Sequence, residues 1–244
     1  MTGRRKTDRD RKVDLGQPVP GWTGASAPDR QVITGDHCRL EPLKMDHAAG
    51  LHAAFRADPD DVVWDYLPYG PFDDLAAFEA FLRETCLGDS PLFYAIIDPD
   101  TDGPVGMASY LRPDPANGVI EVGHINFAPV LQRRPAATEA MYLMMRQVFV
   151  TWGYRRYEWK CNHLNARSRR AAGRLGFSHE GLFRQAAVVK GHNRDTSWFS
   201  ILDTEWPVVA AAFEAWLAPE NFDADGRQRR GLAEIRKSLG SPTI

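Results

Sequence analysis

Two side chains able to carry a proton lie three residues apart near the middle of the chain. Glu121 and His124 both belong to the run VIEVGHINF, residues 119–127, whose apolar content is typical of a strand. An imidazole has an ordinary pKa of about 6.5, which suits proton transfer close to neutral pH. Because successive side chains of a strand point to opposite faces, the spacing predicts that Glu121 and His124 point in opposite directions. An ion pair for Glu121 and a half-buried, hydrogen-bonded ring for His124 are the structural alternatives, so the choice of base stays open.

The patterns of several other chemistries are absent from the sequence. The seven histidines form no His-x-x-x-His pair and no facial carboxylate pattern, so we predict no metal site. No Gly-x-Gly-x-x-Gly motif follows a strand, which excludes a dinucleotide-binding fold of that type. Cys38, Cys86 and Cys161 are odd in number and far apart, which argues against a disulfide framework or a zinc cluster.

Composition and charge indicate a globular protein of the cytoplasm. No segment approaches the roughly 18 apolar residues of a membrane span, and the N-terminus lacks the apolar region of a secretory signal. The formal net charge of −2 gives no overall attraction to nucleic acid. We therefore expect no membrane or nucleic-acid partner, and we divide the chain into a flexible N-terminal arm at residues 1–30, one domain at 31–218 and a C-terminal tail at 219–244.

The periodicity of apolar residues predicts the order β-α-α-β-β-β-α-β-α-β-β. Residues 92–97, 105–111 and 119–127 are strand-like runs separated by turn formers, which predicts an antiparallel meander. A long helix follows at residues 136–152. The other predicted elements are a strand at 37–42, helices through Met45–Phe55 and Leu75–Leu82, a strand at 155–161, a helix at 165–175, strands at 177–189 and 196–203, and helices after Pro207 and near 231–239. Asp73 and Asp74 are the candidate caps of the helix through Leu75–Leu82.

This order and one motif resemble the GNAT acyltransferase superfamily over about residues 37–205. The segment CNHLNARSRRAAGRLGFSHEGLFRQ is similar to the RimJ/RimL type, with Asn165, Ser168, Gly176-Phe177, Glu180-Gly181 and Arg184 at that type's spacing. The resemblance implies a mixed α/β fold, with a central, mostly antiparallel twisted sheet that is splayed between its fourth and fifth strands and flanked by helices. It also implies acetyl-CoA as co-substrate, and a homodimer is a family-level expectation.

The resemblance places the cofactor site at the loop before the long helix. In that family the loop reads Gln/Arg-x-x-Gly-x-Gly/Ala, and backbone N–H groups at the helix N-terminus bind the pyrophosphate of CoA. Here Pro135 replaces the first glycine and removes one N–H, although proline suits the first turn of a helix. Guanidinium groups can compensate with bidentate phosphate contacts. The implied cofactor-binding residues are Gln132, Arg133, Arg134, Ala136, Ala137 and Thr138 in the loop and helix, Asn126 and Phe127 in the gap between strands, and Asn165 at the pantetheine.

The resemblance also assigns catalytic roles. Acetyl transfer needs a neutral amine, a group that removes its proton and a donor for the departing thiolate. Glu121 occupies the Glu-x-Gly position of RimJ/RimL-like relatives, while Ser168 is the candidate thiolate-side acid, with helix capping as its structural alternative.

The loop WDYLPYGPF lies where GNAT relatives shape the acceptor pocket. Trp64, Tyr66 and Tyr69 are the expected aromatic contacts, and Asp65, with Asp60 and Asp61, would attract a cationic amine.

We predict an N-acetyltransferase that uses acetyl-CoA, acts by direct attack in a ternary complex and modifies the α-amino group of a protein N-terminus. A small-molecule amine such as a polyamine, an amino acid or an antibiotic is the alternative acceptor. A non-catalytic CoA-binding interaction module is the alternative from another class.

Overall fold

One eight-stranded sheet runs through residues 16–240, the part of the chain that the computed structural model describes. Its order is β1-β2-β3-β4-β5-β6-β8-β7, and every neighbouring pair is antiparallel except β5 and β6, which are parallel. The expected mixed α/β architecture is confirmed. The strands are β1 (Ile33–Thr34), β2 (Arg39–Pro42), β3 (Leu92–Asp98), β4 (Gly103–Asp114), β5 (Val119–Phe127), β6 (Arg156–Asn162), β7 (Ser178–Val189) and β8 (His192–Leu202).

Helices cover both faces of the sheet. One hydrophobic cluster joins one face to α3, α4, α5 and α6, and a second joins the opposite face to α1 and α2. Among the described residues no helix combines the length and the apolar content needed to cross a bilayer. The helices are α1 (Ala48–Arg56), α2 (Leu75–Phe81), α3 (Pro135–Arg146), α4 (Ala166–Leu175), α5 (Trp206–Leu217) and α6 (Leu232–Ser238), and α2 and α3 each continue into one π-helical turn.

The ends of the predicted elements show where local patterns are sufficient. Asp74 caps α2 as predicted, because its side chain accepts a hydrogen bond of 2.8 Å from the backbone N–H of Ala77. The strand predicted from residue 196 begins at His192 instead, since polar residues 192–195 pair with the end of β7 to complete a long hairpin. Strand β1 is only two residues long and forms through its pairing with β2. Two residues are too few to show a periodicity, so the sequence did not predict this strand.

Residues that precede and residues that follow the predicted domain at 31–218 both contact it. The Trp22 indole donates a hydrogen bond of 2.8 Å to the carbonyl of Ala116 and lies so close to Gly118 that a Cβ there would meet it at 2.6 Å. On the other side, the Arg236 side chain donates to the carbonyls of Arg174 and Gly173 at the end of α4. The charged stretch at residues 4–12 and residues 241–244 lie outside the described part, and the division into arm, domain and tail stays a prediction.

A buried carboxylate joins the hairpin of β1 and β2 to α3. Glu139 is 4% exposed and accepts backbone hydrogen bonds from Asp36 at 2.9 Å, His37 at 2.6 Å and Cys38 at 2.8 Å. The turn approaches so closely that a Cβ at Gly35 would lie 2.4 Å from Oε2 of Glu139. A carboxylate in a poorly solvated place needs this many donors, so the contact fixes the hairpin against the helix that begins at Pro135.

We predict that Gly35→Ala lowers the free energy of unfolding by about 2 kcal/mol or more, because the added methyl group forces the Glu139 carboxylate away from its donors. Urea unfolding followed by circular dichroism measures the change. Gly173→Ala is the matched control, since a Cβ at that helical position meets nothing within 4 Å and should stabilise the protein by about 0.5–1 kcal/mol. Equal stabilities of Gly35→Ala and the wild type would contradict the prediction.

Candidate active site

A bulge in β5 determines which way the candidate bases point. On β4, Ser109 pairs with Gly123, but Met107 pairs with Asn126, so β5 contains one extra residue. His124 lies in that extra stretch with φ of 51°, in the left-handed region that few residues other than glycine adopt. Beyond the bulge the alternation of side chains along β5 is reversed.

The reversal corrects the predicted orientation of the two bases. Glu121 lies between Ile120 and Val122, which pack against the α3 side of the sheet, so its carboxylate is on the α1 and α2 side. The His124 ring contacts Phe93, with 5.0 Å between ring centroids, and Phe93 belongs to the cluster of α1 and α2. Glu121 and His124 therefore point to the same face, and the prediction of opposite faces is wrong because strict alternation ignores the extra residue.

A gap opens beside the bulge. The parallel pairing of β5 with β6 runs only from Val119 opposite Arg156 to Val122 opposite Trp159, although both strands continue. Asn126 lies on β5 where this pairing has ended, and it is 2% exposed, with no hydrogen-bond partner for its Nδ2 atom. An unpaired buried amide donor is costly, which marks the gap as a place suited to a ligand acceptor group.

The N-terminus of α3 accommodates Pro135 without loss. Pro135 is at the start of the helix, where the backbone N–H would have no partner within the helix in any case. Arg134 precedes it in an extended conformation and its side chain makes no cap, while Arg133 adopts a φ of 65°. Both arginines are exposed, and Ala136 and Ala137 are half-buried at the helix entrance.

Two of the predicted cofactor contacts are engaged within the protein. The Gln132 side chain donates 2.9 Å to the carbonyl of Phe127, which closes the loop between β5 and α3. The Thr138 hydroxyl accepts 3.1 Å from Nη1 of Arg174 and is buried under the first turn. These residues hold the shape of the loop rather than leaving their side chains free.

Helix α4 begins on the other side of the gap. The Asn165 side chain caps it by accepting 2.9 Å from the backbone N–H of Ser168, so the cap belongs to Asn165. The Ser168 hydroxyl oxygen accepts 3.0 Å from the indole N–H of Trp159. The same hydroxyl is also within hydrogen-bond reach of the Cys161 sulfur.

The aromatic residues of the loop between α1 and α2 divide into core and site. Trp64 is 3% exposed and packs edge-on against Phe55 and Phe72, so the structure places its ring in the core instead of the expected acceptor pocket. Tyr69 reaches the gap, where its hydroxyl lies 2.9 Å from Nδ1 of His124. Asp65 is exposed, as is Asp60, while Asp61 is half-buried with φ of 54°.

Two bridges connect this loop with segments from the far end of the sheet. The Lys190 ammonium, at the turn between β7 and β8, donates 2.9 Å to the carbonyl of Trp64. The Tyr66 hydroxyl donates 3.2 Å to the carbonyl of Leu164, between β6 and α4. The loop that carries Tyr69 is therefore tied to the β7–β8 turn and to the segment that follows β6.

A chain of ion pairs lies beside His124 on the same face. The Glu121 carboxylate pairs with Arg112 and lies 2.7 Å from the Lys160 ammonium. Lys160 also lies 2.8 Å from Glu158 and 3.7 Å from the centroid of the Trp198 ring. With two cations on its oxygens and 4% exposure, Glu121 has the structural role considered from the sequence.

His124 is held as a neutral imidazole. Burial lowers its pKa to about 4, and the positive charges of Arg112 and Arg194 act in the same direction. Burial also raises the pKa of the Tyr69 phenol well above its ordinary value, so Tyr69 keeps its proton. The hydrogen-bonded pair is therefore uncharged around neutral pH.

The sequence reading missed four cationic residues of this face: Arg112, Lys160, Lys190 and Arg194. A signal existed for Lys160, because Arg156, Glu158 and Lys160 alternate along a predicted strand and must share a face. Arg194 lies in a stretch read as a turn, so no pattern pointed to it. Within residues 16–240, no group of three or more His, Cys, Asp or Glu side chains is arranged to hold a metal ion.

Comparisons with known proteins give one consistent result. The family model described as the acetyltransferase (GNAT) domain matches residues 37–178. A crystal structure of a GCN5-related N-acetyltransferase from Brucella melitensis is 48% identical, with a TM-score of 0.88 over 90% of this chain and 100% of that one. A crystal structure of a probable GNAT-family acetyltransferase from Chromobacterium violaceum is 41% identical, with a TM-score of 0.74 over 81% of this chain and 99% of that one. An uncharacterized N-acetyltransferase, p20, from Bacillus licheniformis is 26% identical over 172 residues, which are 69% of this chain and 95% of the relative.

We predict that stability depends on pH through His124. Its pKa is about 4 in the folded protein and about 6.5 when unfolded, so the unfolded state binds more protons between these values. The stability that the protein gains from keeping His124 neutral is complete above pH 6.5. As the pH falls towards 4, the free energy of unfolding decreases by roughly 3 kcal/mol in total. His124→Asn removes this part of the pH dependence, and asparagine tolerates the left-handed backbone. Urea unfolding of both proteins across this range measures the difference, and identical pH slopes would exclude His124 as the source.

Proposed function

The chain belongs to the GNAT acetyltransferase family, and we propose that it transfers an acetyl group from acetyl-CoA to an amine in the gap between β5 and β6. The observation that carries the proposal is this gap, which opens between the N-termini of α3 and α4 and contains His124. Acetyl-CoA supplies the acetyl group as a thioester.

The residues of the chain suit a CoA thioester. The N-terminus of α3 offers backbone N–H groups and two exposed guanidinium groups, from Arg133 and Arg134, to a pyrophosphate. The unpaired Nδ2 of Asn126 in the gap is a donor for an amide carbonyl of the pantetheine. Asn165 uses its oxygen for the cap, which leaves its Nδ2 as a second donor.

We assign proton removal to His124 and its orientation to Tyr69. If Nδ1–H of His124 donates to the Tyr69 oxygen, Nε2 carries the lone pair that accepts the proton of the amine. A pKa of about 4 makes His124 a weak base, but an amine becomes much more acidic once its nitrogen bonds to the acetyl carbon. As the C–N bond forms and the C–S bond breaks, the Ser168 hydroxyl can pass its proton to the departing sulfur and regain one from solvent, while His124 releases the proton of the amine to solvent. Glu121 is a positioning residue that holds β5 and β6 together just before they separate.

The electrostatics of the site favour an α-amino group as acceptor. The base does not deprotonate a free ammonium efficiently, so the amine must arrive neutral, and an α-amino group has a pKa of about 7.7–8.0 against about 10.4 for lysine. We therefore propose a protein N-terminus, as in RimJ/RimL-type enzymes, with Tyr66, Tyr69 and Asp65 beside it. A small-molecule amine remains the alternative acceptor.

Binding of acetyl-CoA provides the first test, because the proposed reaction requires it; turnover, tested next, separates an enzyme from a non-catalytic CoA-binding module. We predict a saturable rise of several degrees in the unfolding midpoint, since a ligand at about a hundredfold excess over its Kd stabilises by about 2.7 kcal/mol. Adenosine diphosphate, which lacks the pantetheine, is the control and should give a smaller shift. No shift at about millimolar acetyl-CoA would overturn the cofactor proposal.

We predict that His124→Asn lowers kcat by about a hundredfold while the Kd for acetyl-CoA stays unchanged, because proton removal is lost but the α3 site is intact. Thiol release from acetyl-CoA with an N-terminal peptide measures turnover. His179→Asn, at an exposed position on β7, is the matched control. A kcat equal to that of the wild type would remove His124 from the mechanism.

Glu121→Gln should act on stability first. It leaves Arg112 and Lys160 without their shared carboxylate, so we predict a loss of about 3 kcal/mol in the free energy of unfolding. The pH profile of kcat in the folded protein should keep its shape, since Glu121 does not carry the transferred proton. A shifted profile with unchanged stability would identify Glu121 as the base instead.

A further inference from the structure

One cation beside His124 has no counter-charge within the described residues. The ion-pair chain on this face balances, with three cations and three carboxylates: Arg112, Lys160 and Arg156 against Glu121, Glu158 and Glu180. Arg194 is outside this chain. Its Nε is buried without a hydrogen-bond partner, and its guanidinium forms no salt bridge with any carboxylate of residues 16–240.

The position of Arg194 on β8 places its side chain on the face of the sheet that carries Glu121 and His124. Strand β8 pairs with β6 without a shift from Thr196 to Leu202 and continues as one strand back to His192. The irregularity in its pairing with β7 puts the extra residues on β7, so the side chains of Arg194, Thr196 and Trp198 share one face of β8. Trp198 carries Lys160 over its ring, and Lys160 pairs with Glu121, so this is the face of His124. The adjacent Asp195 points the other way and accepts hydrogen bonds from Gln185 and Asn193. Arg194 is close enough for its charge to act on both His124 of β5 and Cys161 of β6.

We infer that Arg194 binds a carboxylate of the acceptor close to the amine that is acetylated. The inference rests on the proposed acetyl transfer and names the class of acceptor: an amine with a carboxylate beside it. A guanidinium with a buried, unpaired N–H gains most from a planar oxyanion that accepts two parallel hydrogen bonds. Two sources have this chemistry, a peptide that begins with an acidic residue and a free α-amino acid.

The experiment compares matched acceptors at saturating acetyl-CoA. Peptides beginning with Asp and Asn, otherwise identical, test the first source, and methionine against methioninamide tests the second. Each rate is expressed per concentration of uncharged amine, because the amino group of methionine is more basic than that of its amide. We expect kcat/KM to be at least about tenfold higher for the carboxylate than for the amide in one of the two pairs. Arg194→Met should reduce this preference to within about twofold, and Arg194→Lys should retain part of it.

Controls separate this inference from the proposed function. Arg229→Met removes one exposed positive charge far from the gap and should leave the preference unchanged. Equal acetylation of acid and amide in both pairs would overturn the inference while upholding acetyl transfer. A preference that survives Arg194→Met would also overturn it. If no acceptor is acetylated, calorimetric titration of the same acceptors into the CoA complex tests the binding of the carboxylate directly. Equal binding of the acid and the amide, or no binding of either, would overturn the inference. A preference confined to methionine would support the inference and reject the protein N-terminus.

Discussion

The separation of β5 from β6 is the constraint on which the rest of the site depends. A parallel pair normally continues its hydrogen bonds until one strand ends, but here pairing stops after Val122 and Trp159. The bulge at His124 explains the departure, because an extra residue on β5 twists the strand and breaks the ladder. The same extra residue turns the imidazole towards Tyr69 and Phe93. One local insertion therefore produces both the gap and the orientation of the group beside it.

Sequence reasoning reached the architecture and, through the family resemblance, the separation of these two strands, but it missed the direction in which His124 points. Apolar periodicity and turn formers located the meander, the long helix and the cap at Asp74, because these signals are local. The bulge has no such signal, since GHIN reads as an ordinary strand and the pairing with β4 alone reveals the extra residue. The core position of Trp64 was missed for the same reason, because only the folded chain brings Phe55 and Phe72 against it. The face of a residue is predictable while alternation holds, and His124 lies where it fails.

The charges of the site follow from its burial. Carboxylates that leave water require cations, and Glu121 and Glu158 share Lys160 for this purpose. Burial lowers the pKa of His124, and the positive charges of Arg112 and Arg194 act in the same direction, so the imidazole stays neutral. Two of the acidic loop residues expected to attract an amine, Asp60 and Asp65, are exposed. The face that carries His124 is thus cationic near the imidazole, and the exposed loop beside it is acidic.

The contact between Glu139 and the β1–β2 turn has a consequence for how this protein tolerates sequence change. All three donors are backbone N–H groups, which no substitution other than proline can remove, so the contact is encoded by Glu139 and by the bare Cα of Gly35. Neither position offers a compensating partner: a shorter acid at 139 loses reach, and a larger residue at 35 occupies the space of the carboxylate. Random mutagenesis should therefore find these two positions intolerant although neither lies in the gap, and a library aimed at changing the acceptor should hold them constant.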